Sequence, residues 1–148
     1  METRAARPDD VDALAAASAA LAGESEGRRA DPEVVHAAIA AALADPAKAR
    51  YFVAVEGGRV VGSLFVTREW SDWTGGWYWW IQGVYVDAGH RRLGVYRRLH
   101  DAVRRAAREE GDVREVRLYV HEGNGLAIKA YEALGMRREP YLVYAGPV

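Results

Sequence analysis

The 148-residue sequence contains no cysteine. This absence excludes a disulfide-stapled scaffold, a cysteine-rich zinc module and a thiol nucleophile. It is also what a cytoplasmic protein would show, and we expect a cytoplasmic location. The length is typical of one domain and is sufficient to bury a sizeable core.

Two further features are missing. No apolar run approaches the roughly 20 residues that cross a bilayer, and the alanine-rich residues 13–22 follow Asp9, Asp10 and Asp12, where a signal peptide would carry positive charge. There is no basic excess either, because 20 Lys and Arg stand against 21 Asp and Glu. Proteins that bind nucleic-acid phosphates usually carry such an excess. We therefore expect no membrane partner and no nucleic-acid partner.

Local signals predict two helices near the start of the chain. Pro8-Asp9-Asp10 offers helix-start chemistry, and apolar residues follow at spacings of three and four up to Leu21. Residues 23–29 are polar and contain glycine, which predicts a loop. Asp31-Pro32 then provides an N-cap and a first-turn proline for a helix that ends at Asp45-Pro46.

The remaining pattern predicts strands separated by two more helices. Gly57-Gly58 suits a two-residue hairpin, and the aromatic run at 77–86 suits a strand covered on both faces. The predicted strands are Glu2–Ala6, Tyr51–Glu56, Arg59–Val66, Trp77–Val86, Val113–Val120 and Met136–Tyr144, and the later helices are Arg92–Glu110 and Asn124–Leu134.

The predicted order is therefore β-α-α-β-β-β-α-β-α-β. Hairpins in the first half and strand–helix alternation in the second half favour an α/β fold of the α+β mixed-sheet kind. We expect a central mixed sheet of about six to seven strands, flanked by about four helices.

The most informative stretch runs from residue 81 to residue 99. A covered strand leads into a loop with Arg91, Arg92 and Gly94, and this loop opens directly into a helix. The arrangement aims unpaired backbone N–H groups and the positive end of the helix dipole at one point. The chemical result is a cradle for a diphosphate, although a solvated basic helix N-terminus would show the same residues.

Two motifs carry a family resemblance. The loop reads Arg91-Arg92-Leu93-Gly94-Val95-Tyr96, similar to the Gln/Arg-x-x-Gly-x-Gly/Ala signature, with Tyr96 in place of a small sixth residue. Downstream, Asn124, Ala127, Tyr131 and Leu134-Gly135-Met136 match a second motif at family spacing. The chain thus resembles the GCN5-related N-acetyltransferases of the GNAT superfamily, which implies one such domain over residues 1–148.

The resemblance implies acetyl transfer from acetyl-CoA to an amine through a tetrahedral intermediate. The main chain of Val84, Tyr85 and Val86 would pair with the pantetheine arm in a gap between two splayed strands. Tyr131 would protonate the leaving thiolate, although it also suits a core aromatic, and Asn124 would bond pantetheine or cap its helix. The cofactor-binding loop would be Arg91, Arg92, Leu93, Gly94, Val95 and Tyr96.

The general base is less well specified. The position where some relatives carry a glutamate holds Trp80 here. Glu24, Glu26, His121 and Glu122 are the remaining candidates, each equally suited to a solvated loop. A substrate amine of lowered pKa would need no dedicated base. The other histidines suit structural or solvated positions and no pair of them has ligand spacing, so we expect no metal.

The acceptor is expected to be a small-molecule amine. Trp70, Trp73 and Trp80 would wall its pocket, or else serve core packing or a homodimer contact. The alternatives are acetylation of a protein or peptide, and a non-catalytic module that only binds acyl-CoA.

Overall fold

The computed structural model describes residues 1–25 and 29–148. Five strands and four helices follow one another along these residues. They are β1 (Glu2–Ala5), α1 (Val11–Ser25), α2 (Pro32–Ala44), β2 (Arg50–Glu56), β3 (Arg59–Ser71), β4 (Gly76–Val86), α3 (Val95–Glu110), β5 (Val113–Leu118) and α4 (Gly125–Glu132). In this part of the chain, no helix has the length and hydrophobicity needed to cross a membrane.

The strands form one sheet in the order β1-β2-β3-β4-β5. Neighbours are antiparallel from β1 to β4, whereas β5 is parallel to β4. A parallel pair needs a crossover, and α3 supplies it. The predicted α/β mixed sheet is confirmed, with five strands instead of six or seven.

Helices cover both faces of the sheet. On one face, Leu99 and Val103 of α3 pack with Leu64, Trp79 and Ile81 in the larger core cluster. On the other face, Leu14 of α1 and Ile39 of α2 pack with Val53. Phe52 and Ala54 belong to the first cluster and Val53 to the second, which is the alternation expected of a strand covered on both sides.

Local chemistry explains the boundaries that were predicted correctly. The Asp31 carboxylate accepts the N–H of Glu33 at 2.9 Å and caps α2 behind Pro32. Gly57 and Gly58 both have positive φ, as the tight β2–β3 turn requires.

Several boundaries were predicted incorrectly. Helix α1 continues through Gly23 to Ser25, where a loop was expected. Strand β3 extends past Val66 to Ser71, because it follows β4 residue by residue to the turn. Helix α3 begins at Val95 rather than Arg92, since Arg92 has φ +64° and Gly94 has φ +78°, which an α-helix cannot contain.

The sixth predicted strand, Met136–Tyr144, is absent from the described sheet. These residues favour strands by type, but Pro140 lies in their middle and lacks a backbone donor. A strand also needs a partner, and none of the described residues pairs with this segment. The predicted Val113–Val120 strand likewise ends early, at Leu118.

A bulge in β4 shapes the edge of the sheet. Phe65 pairs with Gln82, but Ser63 pairs with Tyr85, so Leu64 lies opposite two residues. The bulge contains Gly83, whose φ is +59°. Pairing between β4 and β5 ends at Ile81 and Leu118, and residues 82–86 have no ladder with β5. Strand β5 ends at Leu118, so β4 continues past its last β5 partner from the bulge onward.

We expect Gly83→Ala to destabilise the protein by about 3 kcal/mol. Positive φ costs a side chain roughly 1–2 kcal/mol, and a Cβ at this position would lie 2.7 Å from the Phe65 ring. The matched control is Gly58→Ala, which has positive φ with nothing within 4 Å and should cost only about 1 kcal/mol. Urea unfolding measures both; equal losses would contradict the role of the Phe65 contact.

Candidate active site

The loop before α3 presents free backbone donors. Gly94 is the N-cap and makes no side-chain cap bond, and the N–H groups of Val95, Tyr96 and Arg97 find no acceptor among the described residues. A Cβ added to Gly94 would meet nothing within 4 Å, so the space above the loop is open. Free N–H donors and the positive end of a helix dipole are the features that bind anions in proteins.

The conformation of this loop is strained. Arg92 is the one non-glycine residue with positive φ among the described residues, and such strain collects at ligand-binding positions. Left-handed residues in a short loop turn successive N–H groups toward a common centre, which suits an oxyanion. The loop thus has the free donors and the open space that a diphosphate cradle needs, and the cradle stays a prediction.

Arg91 attaches the loop to two other elements. Its Nε donates to the Val86 carbonyl at 3.1 Å, and its Nη2 donates to Glu24 at 2.7 Å. Glu24, one of the predicted base candidates, is thus an ion-pair partner of the loop and does not line the groove described below. Glu26, another candidate, lies outside the described residues.

Two of the histidines that were predicted to be structural have side-chain partners. His90 lies between the carboxylates of Asp87, at 2.9 Å, and Glu56, at 3.1 Å, while His36 lies 2.9 Å from Asp12. Within residues 1–25 and 29–148, no group of three or more His, Asp or Glu side chains is placed to hold a metal ion.

A groove of about 1080 Å³ runs along β5. Its walls come from α3, β5, α4 and the segment after α4. Among its lining residues are Trp80, Tyr119, Glu122 and Tyr131. The Trp80 and Tyr119 rings stack with centroids 4.5 Å apart. The groove therefore brings the predicted acid, two of the predicted base candidates, His121 and Glu122, and one predicted pocket tryptophan to the same surface.

Tyr131 is half-buried beside Tyr96. The two rings meet edge to face with centroids 5.4 Å apart, and burial raises the pKa of the Tyr131 phenol above its ordinary value of 10. Tyr96 also contacts His100, at 5.9 Å between centroids. The large residue at the sixth motif position thus packs toward Tyr131 and leaves the space above Gly94 open.

Asn124 and His121 make local bonds. The Asn124 side chain accepts the Ala127 N–H at 3.2 Å and caps α4. The His121 Nδ1 accepts the Gly123 N–H at 3.0 Å, so a neutral ring carries its proton on Nε2 and cannot accept another there. Glu122 is exposed and is the one carboxylate among the described base candidates that lines the same groove as Tyr131.

The three tryptophans proposed for the acceptor pocket do not lie together. Trp70 packs edge-on against Trp77 at 5.0 Å, and Trp73 is 94% exposed near the β3–β4 turn. Neither lines the groove, whereas Trp80 does. The partner of Trp80 there, Tyr119, was not predicted from the sequence, because it was assigned to a strand and not to the site.

Comparison with known proteins identifies the family. Residues 15–136 match the model of the acetyltransferase (GNAT) family. The crystal structure of a possible acetyltransferase from Clostridium difficile 630 is 37% identical and has a TM-score of 0.91, covering 99% of this chain and 97% of that chain. The chain therefore belongs to the GNAT family of acetyltransferases. A search of curated proteins found no match.

More distant structures share the fold. A predicted acetyltransferase with acetyl-CoA from Clostridium acetobutylicum is 15% identical, with a TM-score of 0.80 over 98% of this chain and 95% of that chain. An aminoglycoside acetyltransferase from an uncultured soil metagenomic sample, in complex with trehalose, is 17% identical, with a TM-score of 0.77 over 99% and 95%. At these identities the likeness establishes the fold alone.

We expect Tyr96→Phe to leave stability unchanged or to raise it by up to about 1 kcal/mol. The Tyr96 Oη is buried and has no hydrogen-bond partner among the described residues, and such a group carries an uncompensated desolvation cost. Tyr78→Phe is the matched control, because the Tyr78 Oη accepts from Ser71 at 3.2 Å, and should cost about 1 kcal/mol. Thermal unfolding compares them; a larger loss for Tyr96→Phe would contradict the unpaired hydroxyl.

Proposed function

We propose that this protein transfers the acetyl group of acetyl-CoA to the primary amine of a small molecule by direct attack. One observation carries the proposal. Tyr131 lines the groove that also borders Trp80 and Leu118, next to the last pair between β4 and β5. Strand β4 then leads into the loop with the free N–H donors. Tyr96, in the first turn of α3 behind that loop, contacts the Tyr131 ring at 5.4 Å between centroids, so the candidate acid and the candidate anion cradle are neighbours.

The loop residues suit the diphosphate of acetyl-CoA. The N–H groups of Val95 and Tyr96 would bind phosphate oxygens, and Gly94 leaves the approach open. The exposed Arg92 has no ion pair among the described residues and would add charge beside Leu93. Arg91, already bonded to Glu24 and Val86, would hold the loop in position.

The freed part of β4 suits the pantetheine arm. Residues 82–86 keep β3 on one side and have no strand on the other, so their main chain can pair with an extended ligand as a sheet edge does. The Val86 carbonyl already accepts from Arg91. The Asp87 N–H donates to the Val61 carbonyl of β3, so by alternation the main chain of Tyr85 faces β3 and that of Val84 and Val86 faces the open side. We therefore assign most of this pairing to Val84, with Asn124 kept as a helix cap.

Acetyl-CoA supplies a thioester whose carbonyl carbon is open to an amine and whose thiolate can leave. Tyr131 supplies the proton for that thiolate. Because burial raises the pKa of its phenol, the group stays protonated at neutral pH and somewhat beyond the range of an exposed tyrosine. A donor that keeps its proton at neutral pH is what this step requires.

Glu122 is our candidate for the base. Its exposed carboxylate lines the groove with Tyr131, and it can take the amine proton through a water molecule. The stacked Trp80 and Tyr119 rings lie along the same groove. A carboxylate and an aromatic face both favour a cationic amine, which supports a small amine acceptor.

We expect acetyl-CoA to bind with micromolar affinity in calorimetric titration, and Arg92→Glu to raise the Kd at least tenfold. The matched control is Arg105→Glu, which makes the same charge change at an exposed position farther along α3 and should alter the Kd less than twofold. Equal weakening by both variants would indicate a general charge effect. Failure of the folded wild type to bind would overturn the proposed function.

We expect Tyr131→Phe to lower kcat about 100-fold and to change the KM for acetyl-CoA less than twofold, because proton transfer by a positioned side chain contributes at least that factor. Tyr119→Phe is the control; it lies on the same groove and keeps its stacking on Trp80. Thiol release with a panel of small amines and of peptides measures both variants and separates the two acceptor classes.

The pH profile gives a second readout of the same role. Because the pKa of Tyr131 is raised, deprotonation of this group should not lower the wild-type rate below about pH 10. An unchanged turnover in Tyr131→Phe would show that the tyrosine is only a packing residue. Turnover with peptides alone would replace the small-molecule assignment by peptide acetylation.

A further inference from the structure

The side chain of His90 lies between two carboxylates from different parts of the chain. Its Nδ1 is 2.9 Å from Asp87 Oδ2, and its Nε2 is 3.1 Å from Glu56 Oε2. A neutral imidazole has one N–H and one lone pair, whereas a carboxylate only accepts hydrogen bonds. A neutral ring can therefore satisfy one of these carboxylates and must turn a lone pair toward the other. The imidazolium, with two N–H groups, donates to both at once.

Both carboxylates are attached to the sheet. The Asp87 N–H donates to the Val61 carbonyl of β3 at 2.9 Å. Glu56 is the last residue of β2 and pairs across the tight turn with Arg59, a cation at the start of β3. The His90 N–H also donates to the Asp87 carbonyl, at 2.8 Å. Through His90, the chain that enters the loop before α3 is therefore held at two points of the sheet.

The loop after His90 has a strained conformation that needs support. Arg92 and Gly94 have φ of +64° and +78°, and strained residues persist where the surrounding contacts hold them. Arg91 supplies one such contact, because it donates to Glu24 at the end of α1 at 2.7 Å. His90 supplies a second contact, on the side of β2. The two contacts thus fasten neighbouring residues to different elements.

The charged groups around His90 are already paired with one another. The Met1 ammonium lies 3.9 Å from the second oxygen of Glu56, and Arg91, next to His90 in the chain, is paired with Glu24. The His90 side chain is 22% exposed, so water weakens each of its contacts without removing them. Because each of these two cations faces a carboxylate of its own, the imidazole is the group that joins the two carboxylates beside it.

We propose that His90 is a positioning residue that fixes the loop of residues 91–94 while it is protonated and no longer fixes it once the proton is lost. Histidine is the side chain whose charge ordinarily changes between about pH 5 and pH 8, whereas arginine stays charged. Since a loop that is already held binds an anion with less rearrangement, the affinity for acetyl-CoA should fall as the pH rises. The choice of this ligand rests on the proposed function, but the attachment of the loop does not.

Glu56→Gln tests this role without removing the contact. A neutral imidazole can donate from Nδ1 to Asp87 and accept at Nε2 from the N–H of an amide. The variant therefore permits the same geometry around an uncharged ring, and the loop should stay fixed at either pH. In calorimetric titration, the ratio of the Kd for acetyl-CoA at pH 8 to that at pH 6 should be about fivefold larger for the wild type than for Glu56→Gln, within the usual range of coupling between two sites.

Two controls separate His90 from other titrating groups. Glu110→Gln makes the same change in a carboxylate that is paired with Arg50 at the other end of α3 and is similarly exposed, 45% against 48% for Glu56; it should keep the wild-type ratio. His90→Gln keeps Glu56 and the Met1 ammonium and should lose the ratio. The phosphates of the ligand titrate in the same range, but they contribute equally to every variant. An equal ratio in the wild type and Glu56→Gln, or an unchanged ratio in His90→Gln, would overturn the proposal.

Hydrogen exchange tests the loop without any ligand. The Arg98 N–H donates to the Gly94 carbonyl at 3.1 Å and closes the first turn of α3 behind the loop. At pH 8 the amides of Arg98 and His90 should be about threefold more protected in Glu56→Gln than in the wild type, because local opening sets their exchange, and at pH 6 the two proteins should agree. Equal protection at both pH values would overturn the role of His90. If this difference is found but the wild type does not bind acetyl-CoA, the proposed function fails and the role of His90 in holding the loop stands.

Discussion

The rest of this structure depends on which strands hydrogen-bond to the main chain of β4. Up to Ile81 the strand pairs with β3 on one side and with β5 on the other, and Trp79 and Ile81 are buried in the main core. At Gly83 the register with β3 shifts, and beyond this residue β4 pairs with β3 but no longer with β5. The bulge at Gly83 therefore divides β4 into a part that pairs with β5 and a part whose edge is free for the proposed pantetheine pairing.

The loop after β4 depends on contacts from distant parts of the chain. Arg91 bonds the end of β4 and the end of α1, while Arg92 and Gly94 hold positive φ. The N–H donors of α3 remain free because neither side chains nor backbone of the described residues cap them. In the proposed function, a loop already held in this conformation would need little rearrangement to bind the diphosphate.

Sequence reasoning succeeded where the cause was local and failed where it was remote. The cap at Asp31 and the turn at Gly57-Gly58 follow from chemistry within four residues. The ion pair between Glu24 and Arg91 joins residues 67 positions apart, and no pattern of residue spacing predicts such a contact. The sixth strand was predicted from residue type alone, although a strand exists only with a partner. The grouping of Trp70, Trp73 and Trp80 failed for a similar reason, since neighbours in sequence were taken for neighbours in space.

The order of the elements also has a consequence for folding. Strands β2, β3 and β4 are joined by short turns, so their contacts close small loops and can form early. Strand β5 can pair with β4 only after the α3 crossover has formed. Helix α4, which carries Tyr131, follows β5 in the chain. The antiparallel strands β2, β3 and β4 are thus the expected folding nucleus, and the loop before α3 and Tyr131 are expected to take their places last. A partly folded chain would therefore have formed the β2–β3–β4 sheet before the candidate site was complete.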